Sequence, residues 1–180
     1  MINRNISISG GWLLMMAIMV ILLPLQWVIA SVVAAVFHEF SHWLVMRLIT
    51  GKGRPMQFRS GSIRMNLVEM GRGEELLCAL AGPVSGLLLL PFGSWIPRVA
   101  FCAMIQSLYN LLPVYPMDGG RILRCALSMG VCPPVAEKIE RALSRITQVG
   151  LLLLGIYGCL YLHLGLFPLL FCVLMLLRIK

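Results

Sequence analysis

Charge is scarce in this sequence. Only 12% of its 180 residues are Asp, Glu, Lys or Arg, where a soluble domain carries about a quarter. With a mean hydropathy of +0.91, that scarcity excludes an ordinary soluble domain. Acidic residues are rarest, 7 against 15 basic ones, for a net charge of +8. The basic residues sit between apolar runs, so the excess reads as membrane topology and no nucleic-acid partner is expected. The cysteines Cys78, Cys102, Cys125, Cys132, Cys159 and Cys172 form no C-x-x-C pair. Most lie in apolar stretches and read as small packing residues rather than disulfide or metal partners. An A-x-A-like cleavage site is also missing after the first apolar run, which is therefore read as a retained span. The length fits one domain, 1–180.

What is plentiful is long apolar runs. A spanning helix needs roughly 20 mostly apolar residues, and the sequence predicts an all-α membrane protein of about six such helices. The first covers 8–25, ending near Pro24 and Gln26. The second covers 27–49, followed by the soft break Thr50-Gly51-Lys52-Gly53. The third covers 74–92, and the fourth covers 94–112, stopping at Pro113. A polar stretch, 118–147, precedes an apolar tail, 148–178. Gly165 and Pro168 divide that tail into a tight pair of spans.

Segment 54–70 has a different period. In MQFRSGSIRMNL, apolar and polar residues alternate on both sides of Ser60-Gly61-Ser62. Period two around a Ser-Gly turn predicts a short membrane-associated β-hairpin after the second helix. Further on, Pro133-Pro134 opens VAEKIERALSRI. Val135, Ile139, Leu143 and Ile146 form an apolar stripe there, with Glu137, Lys138, Glu140, Arg141 and Arg145 elsewhere. This predicts an amphipathic helix, lying at the membrane surface or packed on the bundle. Six spans from a cytoplasmic N-terminus put Arg4, the 47–72 and 121–145 segments, Arg178 and Lys180 inside, and Arg98 alone outside. The expected protein is thus a multi-pass cell-membrane protein with both termini cytoplasmic.

The second predicted helix contains His38-Glu39-Phe40-Ser41-His42, an H-E-x-x-H pattern. Residues i and i+4 share a helical face, so two imidazoles can converge on one zinc ion. Glu39 can then take a proton from the attacking water. Ionisable groups at the bilayer centre cost about 2.5–3.5 kcal/mol, so packing alone does not favour Glu39 there. His163, the third histidine, reads as an interfacial residue.

A catalytic zinc usually has three protein ligands and one open position. The best third candidate is Asp118 in NLLPVYPMDGGR, which begins at Asn110. In the topology above it reaches the same depth and side as the two histidines. Pro113 and Pro116 break the preceding helix, and Gly119-Gly120 permits an unusual backbone. A helix cap is the other reading of Asp118.

HEFSH on an early helix, Ala81-Gly82-Pro83 on a middle one and NLLPVYPMDGGR on a later one together resemble the site-2 protease family. The likeness is strongest to the branch typified by the sporulation protease that activates a pro-sigma factor. It implies His38, His42 and Asp118 as ligands of one zinc per chain and Glu39 as general base. It further implies that Asn110 holds substrate or stabilises the oxyanion. Ser41 stands where Gly is frequent, and Gly86 where many members carry Asn. No PDZ module or nucleotide-sensing domain is recognisable, so a separate regulatory membrane partner is expected.

The expected activity is therefore intramembrane zinc-dependent hydrolysis of peptide bonds in membrane-protein substrates, within or beside the lipid bilayer. The hairpin would pair with an unwound substrate by strand addition. Three alternatives compete: an inactive scaffold, a metal transporter, and a zinc protease using Glu137 or Glu140 as third ligand. The charged helical surroundings of those two glutamates fit a solvated face better.

Overall fold

The computed structural model describes residues 23–51, 57–59, 62–64, 71–115 and 117–161. Helix α1 spans Leu25–Thr50, followed by strands β1 (Gln57–Arg59) and β2 (Ser62–Arg64). Helices α2 (Arg72–Leu88), α3 (Pro97–Asn110), α4 (Asp118–Gly130) and α5 (Pro133–Leu160) complete the order. The chain divides into two compact units, Met1–Leu108 and Tyr109–Lys180, and the division falls in the last turn of α3.

In the first unit, α1 starts after Pro24 and ends at Gly51, whose φ of 63° is the left-handed conformation that glycine adopts without penalty. Its buried residues include Ala30, Ala34, His38, His42 and Met46, an i, i+4 stripe along one face. Helix α2 opens with the Glu74 carboxylate accepting the Gly71 N–H at 2.9 Å, which satisfies a donor at the helix start. Its buried face is small: Cys78, Ala79, Gly82, Pro83 and Gly86. A short 3-10 turn, Leu90–Phe92, extends it. Helix α3 presents Ala100, Ala103 and Ser107 inward. Trp27 of α1 meets Phe101 of α3 edge-on, ring centroids 5.8 Å apart. Between α1 and α2, β1 and β2 form an antiparallel pair with Phe58 opposite Ile63. The rest of the expected 54–70 hairpin, and its membrane association, lie outside the described residues.

In the second unit, residues 111–115 form a turn whose Val114 is fully buried. Helices α4 and α5 follow. Leu151 of α5 packs on Val114 and Met117.

Six spanning helices are not found among the described residues. Three helices are long and apolar enough to cross a membrane: Leu25–Thr50, Arg72–Phe92 and Pro133–Leu160. The first expected span, 8–25, lies almost wholly outside the described residues. The fourth is shorter than expected. Residues 93–96 form a turn, α3 starts only at Pro97, and it runs for 14 residues, about 21 Å at 1.5 Å per residue. The expected border at 147–148 does not exist, because α5 runs unbroken for 28 residues through it. The expected amphipathic stripe faces outward: Val135 is 45% exposed and Ile146 67%. The inward face carries Ala136, Glu140 and Ser144 instead. Small and polar groups inside with branched aliphatics outside is the arrangement of a helix in lipid.

Candidate active site and metal centre

The buried stripe of α1 brings His38 and His42 together. They are 3% and 5% exposed. Their Nε2 atoms stand 3.2 Å apart, with the rings edge-on. On the other side of its ring, His42 donates its Nδ1–H to the Cys78 carbonyl of α2 at 2.6 Å. A proton fixed on Nδ1 leaves Nε2 as a lone pair, the form in which histidine ligates a metal. Two nitrogens bound at 2.0–2.1 Å to a tetrahedral zinc would be roughly 3.3–3.4 Å apart. The observed spacing fits that demand without rearrangement.

Space for the pair comes from the small face of α2. A Cβ on Gly82 would collide with His42 Nε2 and stand 2.6 Å from His38 Nε2. Gly82 is therefore the wall against which the two imidazoles lie. Pro83, the next residue, lies inside α2 and has no N–H for the Ala79 carbonyl. The helical bonding is thus loosened one residue from Cys78, where His42 docks. The Cys78 thiol also leans on the His42 carbonyl, at 3.6 Å. Cys78 and Gly82 therefore shape the pair as second-layer groups.

Glu39 is half-buried and follows His38 directly, about 100° further round the helix. It is placed beside the pair rather than within it. Ser41 turns its hydroxyl back onto the Phe37 carbonyl at 2.8 Å. A small side chain there satisfies itself within α1 and adds no group to the histidine face.

The second unit holds Asn110 and Asp118. Asn110 is the last residue of α3 and half-buried. Asp118 is the first residue of α4 and 8% exposed. The cap position belongs to Met117, so the cap alternative for Asp118 is set aside. The Arg121 guanidinium lies 3.8 Å from the Asp118 carboxylate. The two glycines after Asp118 have a steric reason. A Cβ on Gly119 would run into the Leu111 and Leu112 carbonyls, and one on Gly120 would lie 2.7 Å from the Tyr115 nitrogen. The turn can fold back on the start of α4 only if both side chains are absent.

The glutamates weighed as other ligands differ from each other. Glu137 is exposed and paired with Arg141 at 3.6 Å, as a solvated face requires. Glu140 is 3% exposed, which overturns the solvated reading for that residue. Its small neighbours Ala136 and Ser144, one turn away on each side, were the available signal. Among the described residues, the five cysteines Cys78, Cys102, Cys125, Cys132 and Cys159 are free thiols.

The sequence model of peptidase family M50 matches residues 90–154. That region contains Asn110 and Asp118, while His38, Glu39 and His42 precede it. Among solved structures, the chain is similar to a site-2 protease from Methanocaldococcus jannaschii. The TM-score is 0.65 and the identity 21%, over 91% of this chain and 82% of that one. No curated protein matches significantly. The likeness read from the sequence thus has two supports: residues 90–154 match the model of peptidase family M50, and the chain shares its fold with a site-2 protease.

Proposed function

We propose that this protein is an intramembrane zinc metalloendopeptidase, the whole chain acting as one multi-pass protease domain on membrane-protein substrates. The observation that carries the reading is the histidine pair. Two buried Nε2 atoms 3.2 Å apart, one with its tautomer fixed by Cys78, face a wall with no side chain. His38, His42 and Asp118 would hold one zinc per chain; the donor set of two imidazoles and one carboxylate suits that metal. When bound, zinc supplies Lewis acidity, polarising the scissile carbonyl and making water a better nucleophile at neutral pH.

The remaining chemistry belongs to the chain's own residues. Glu39 accepts a proton from the attacking water and returns it to the leaving amine. Asn110 donates a hydrogen bond to the substrate or to the developing oxyanion. The sporulation-type branch remains the proposed subfamily, and a separate membrane protein the proposed regulator. Both termini are proposed to be cytoplasmic.

Glu39→Gln tests the mechanism. The substitution keeps size and hydrogen bonding but cannot take up the proton. Cleavage of a co-expressed membrane substrate should fall at least about 100-fold, in line with loss of a general base. Zinc content should stay at the wild-type level. Cleavage at the wild-type rate would remove Glu39 from the mechanism.

A further inference from the structure

Ser107 is a buried polar residue with no part in the chemistry above. It is fully buried on α3, and its Oγ makes no hydrogen bond among the described residues. A helical hydroxyl can satisfy itself by donating to the carbonyl one turn back. Ser31, Ser41, Thr50 and Ser128 all do so, at 2.6–2.8 Å. Ser107 instead faces Gly86 of α2, where a Cβ would collide with its Oγ and stand 3.0 Å from the Ala103 carbonyl. A buried hydroxyl without a partner is destabilising, and alanine at this position would avoid that penalty. The hydroxyl is therefore explained by where it fits rather than by what it bonds. It fills the hollow left by Gly86 and lets the α3 backbone approach that of α2, a close contact of the Cα–H···O kind.

Gly86 shares the inward face of α2 with Gly82, one turn and about 6 Å earlier along the axis. The two missing side chains admit two different neighbours. Gly82 takes the histidine pair of α1, and Gly86 takes Ser107 of α3. Helix α2 is thus a common seat for both. Asn110 lies three residues beyond Ser107 in the same unbroken helix. A rotation or slide of α3 at Ser107 therefore carries its last turn with it.

We propose that Ser107 is a positioning residue: its hydroxyl, seated on Gly86, fixes the rotation of α3 and so the presentation of Asn110. This rests on the reading of Asn110 as a group that touches the substrate. The proposal separates Ser107 from the metal ligands, because nothing on the histidine side of Gly82 depends on the hydroxyl.

The test is cleavage of a fluorescently labelled single-span membrane peptide by the full chain in detergent, with zinc content and melting temperature recorded for each variant. Ser107→Ala removes Oγ and leaves the hollow unfilled. It should melt no lower than wild type and keep its zinc, yet lose about 10-fold in kcat/KM, less than the ~100-fold that an ångström of misplacement costs. Gly86→Ala collides with Ser107, so it should lose more and melt at a lower temperature. Adding Ser107→Ala to it removes the collision, since the new methyl lies 3.5 Å from the Ser107 Cβ position, and should restore part of the loss. In an Asn110→Ala background, Ser107→Ala should change kcat/KM by less than about 2-fold, because both act through one group. If Gly86→Ala fails to fold, the cycle of Ser107→Ala with Asn110→Ala carries the test. Wild-type cleavage by Ser107→Ala would overturn the proposal. So would a further loss of about 10-fold on top of Asn110→Ala, because Ser107 would then act without Asn110. Asn110→Ala cleaving at the wild-type rate would sink the reading of Asn110 and this proposal with it. A folded wild type that neither binds zinc nor cleaves would defeat the metalloprotease reading itself, a result distinct from the others.

Discussion

The two histidines were legible in the sequence because spacing alone fixes them. Positions i and i+4 on one helix must share a face, and two buried imidazoles need a partner. Their wall was less legible. Gly82 was recognisable only as part of the Ala81-Gly82-Pro83 pattern, and no local rule says that its missing Cβ is the space for His38 and His42. Gly82→Ala follows as a test at the residue scale. Alanine is a better helix former than glycine, so α2 should persist. The added methyl would occupy the metal position. Zinc affinity should fall by at least about 10-fold, and the overpacking against the buried histidines should also lower the melting temperature, as zinc titration alongside thermal unfolding can show. Unchanged affinity would mean that the metal sits elsewhere. Glu140 marks the opposite limit. Its charged neighbours in sequence pointed to solvent, yet it shares the inward face of α5 with Ala136 and Ser144.

At the scale of the element, ends proved harder to read than interiors. The apolar run at 94–112 passes through a turn and starts helical bonding only at Pro97, because composition does not register how a chain enters a helix. In α5 the error had the opposite sense. A charged first half and an apolar second half looked like separate pieces, yet helix propensity does not change at 147–148 and nothing there breaks the ladder. The Asp118 turn was anticipated as irregular from its prolines and glycines. What the structure adds is which glycine contact matters. Gly119→Ala would push a methyl into the Leu111 and Leu112 carbonyls. The overpacking should cost about 1–3 kcal/mol, read as a lower melting temperature in detergent. Zinc binding should weaken with it. A variant as stable as wild type would show that the turn can yield there.

At the scale of the whole molecule, membrane character was plain from composition, and three described helices carry it. Orientation rests on the distribution of Lys and Arg. It predicts that an epitope at either terminus stays protected from protease added outside intact cells, and digestion of either epitope would reverse the proposed topology. The family likeness covers 90–154, and the fold likeness nearly the whole chain. Neither assigns the zinc ligands, which are proposed from the residues themselves. The central claim is therefore one zinc held by two histidines and one aspartate. Zinc per chain in detergent-purified protein tests it most directly, comparing wild type with His42→Ala and Asp118→Ala. The account predicts about one zinc in wild type and loss or marked weakening in both variants. A folded wild type without zinc, or an Asp118→Ala variant that keeps it undiminished, would contradict the account.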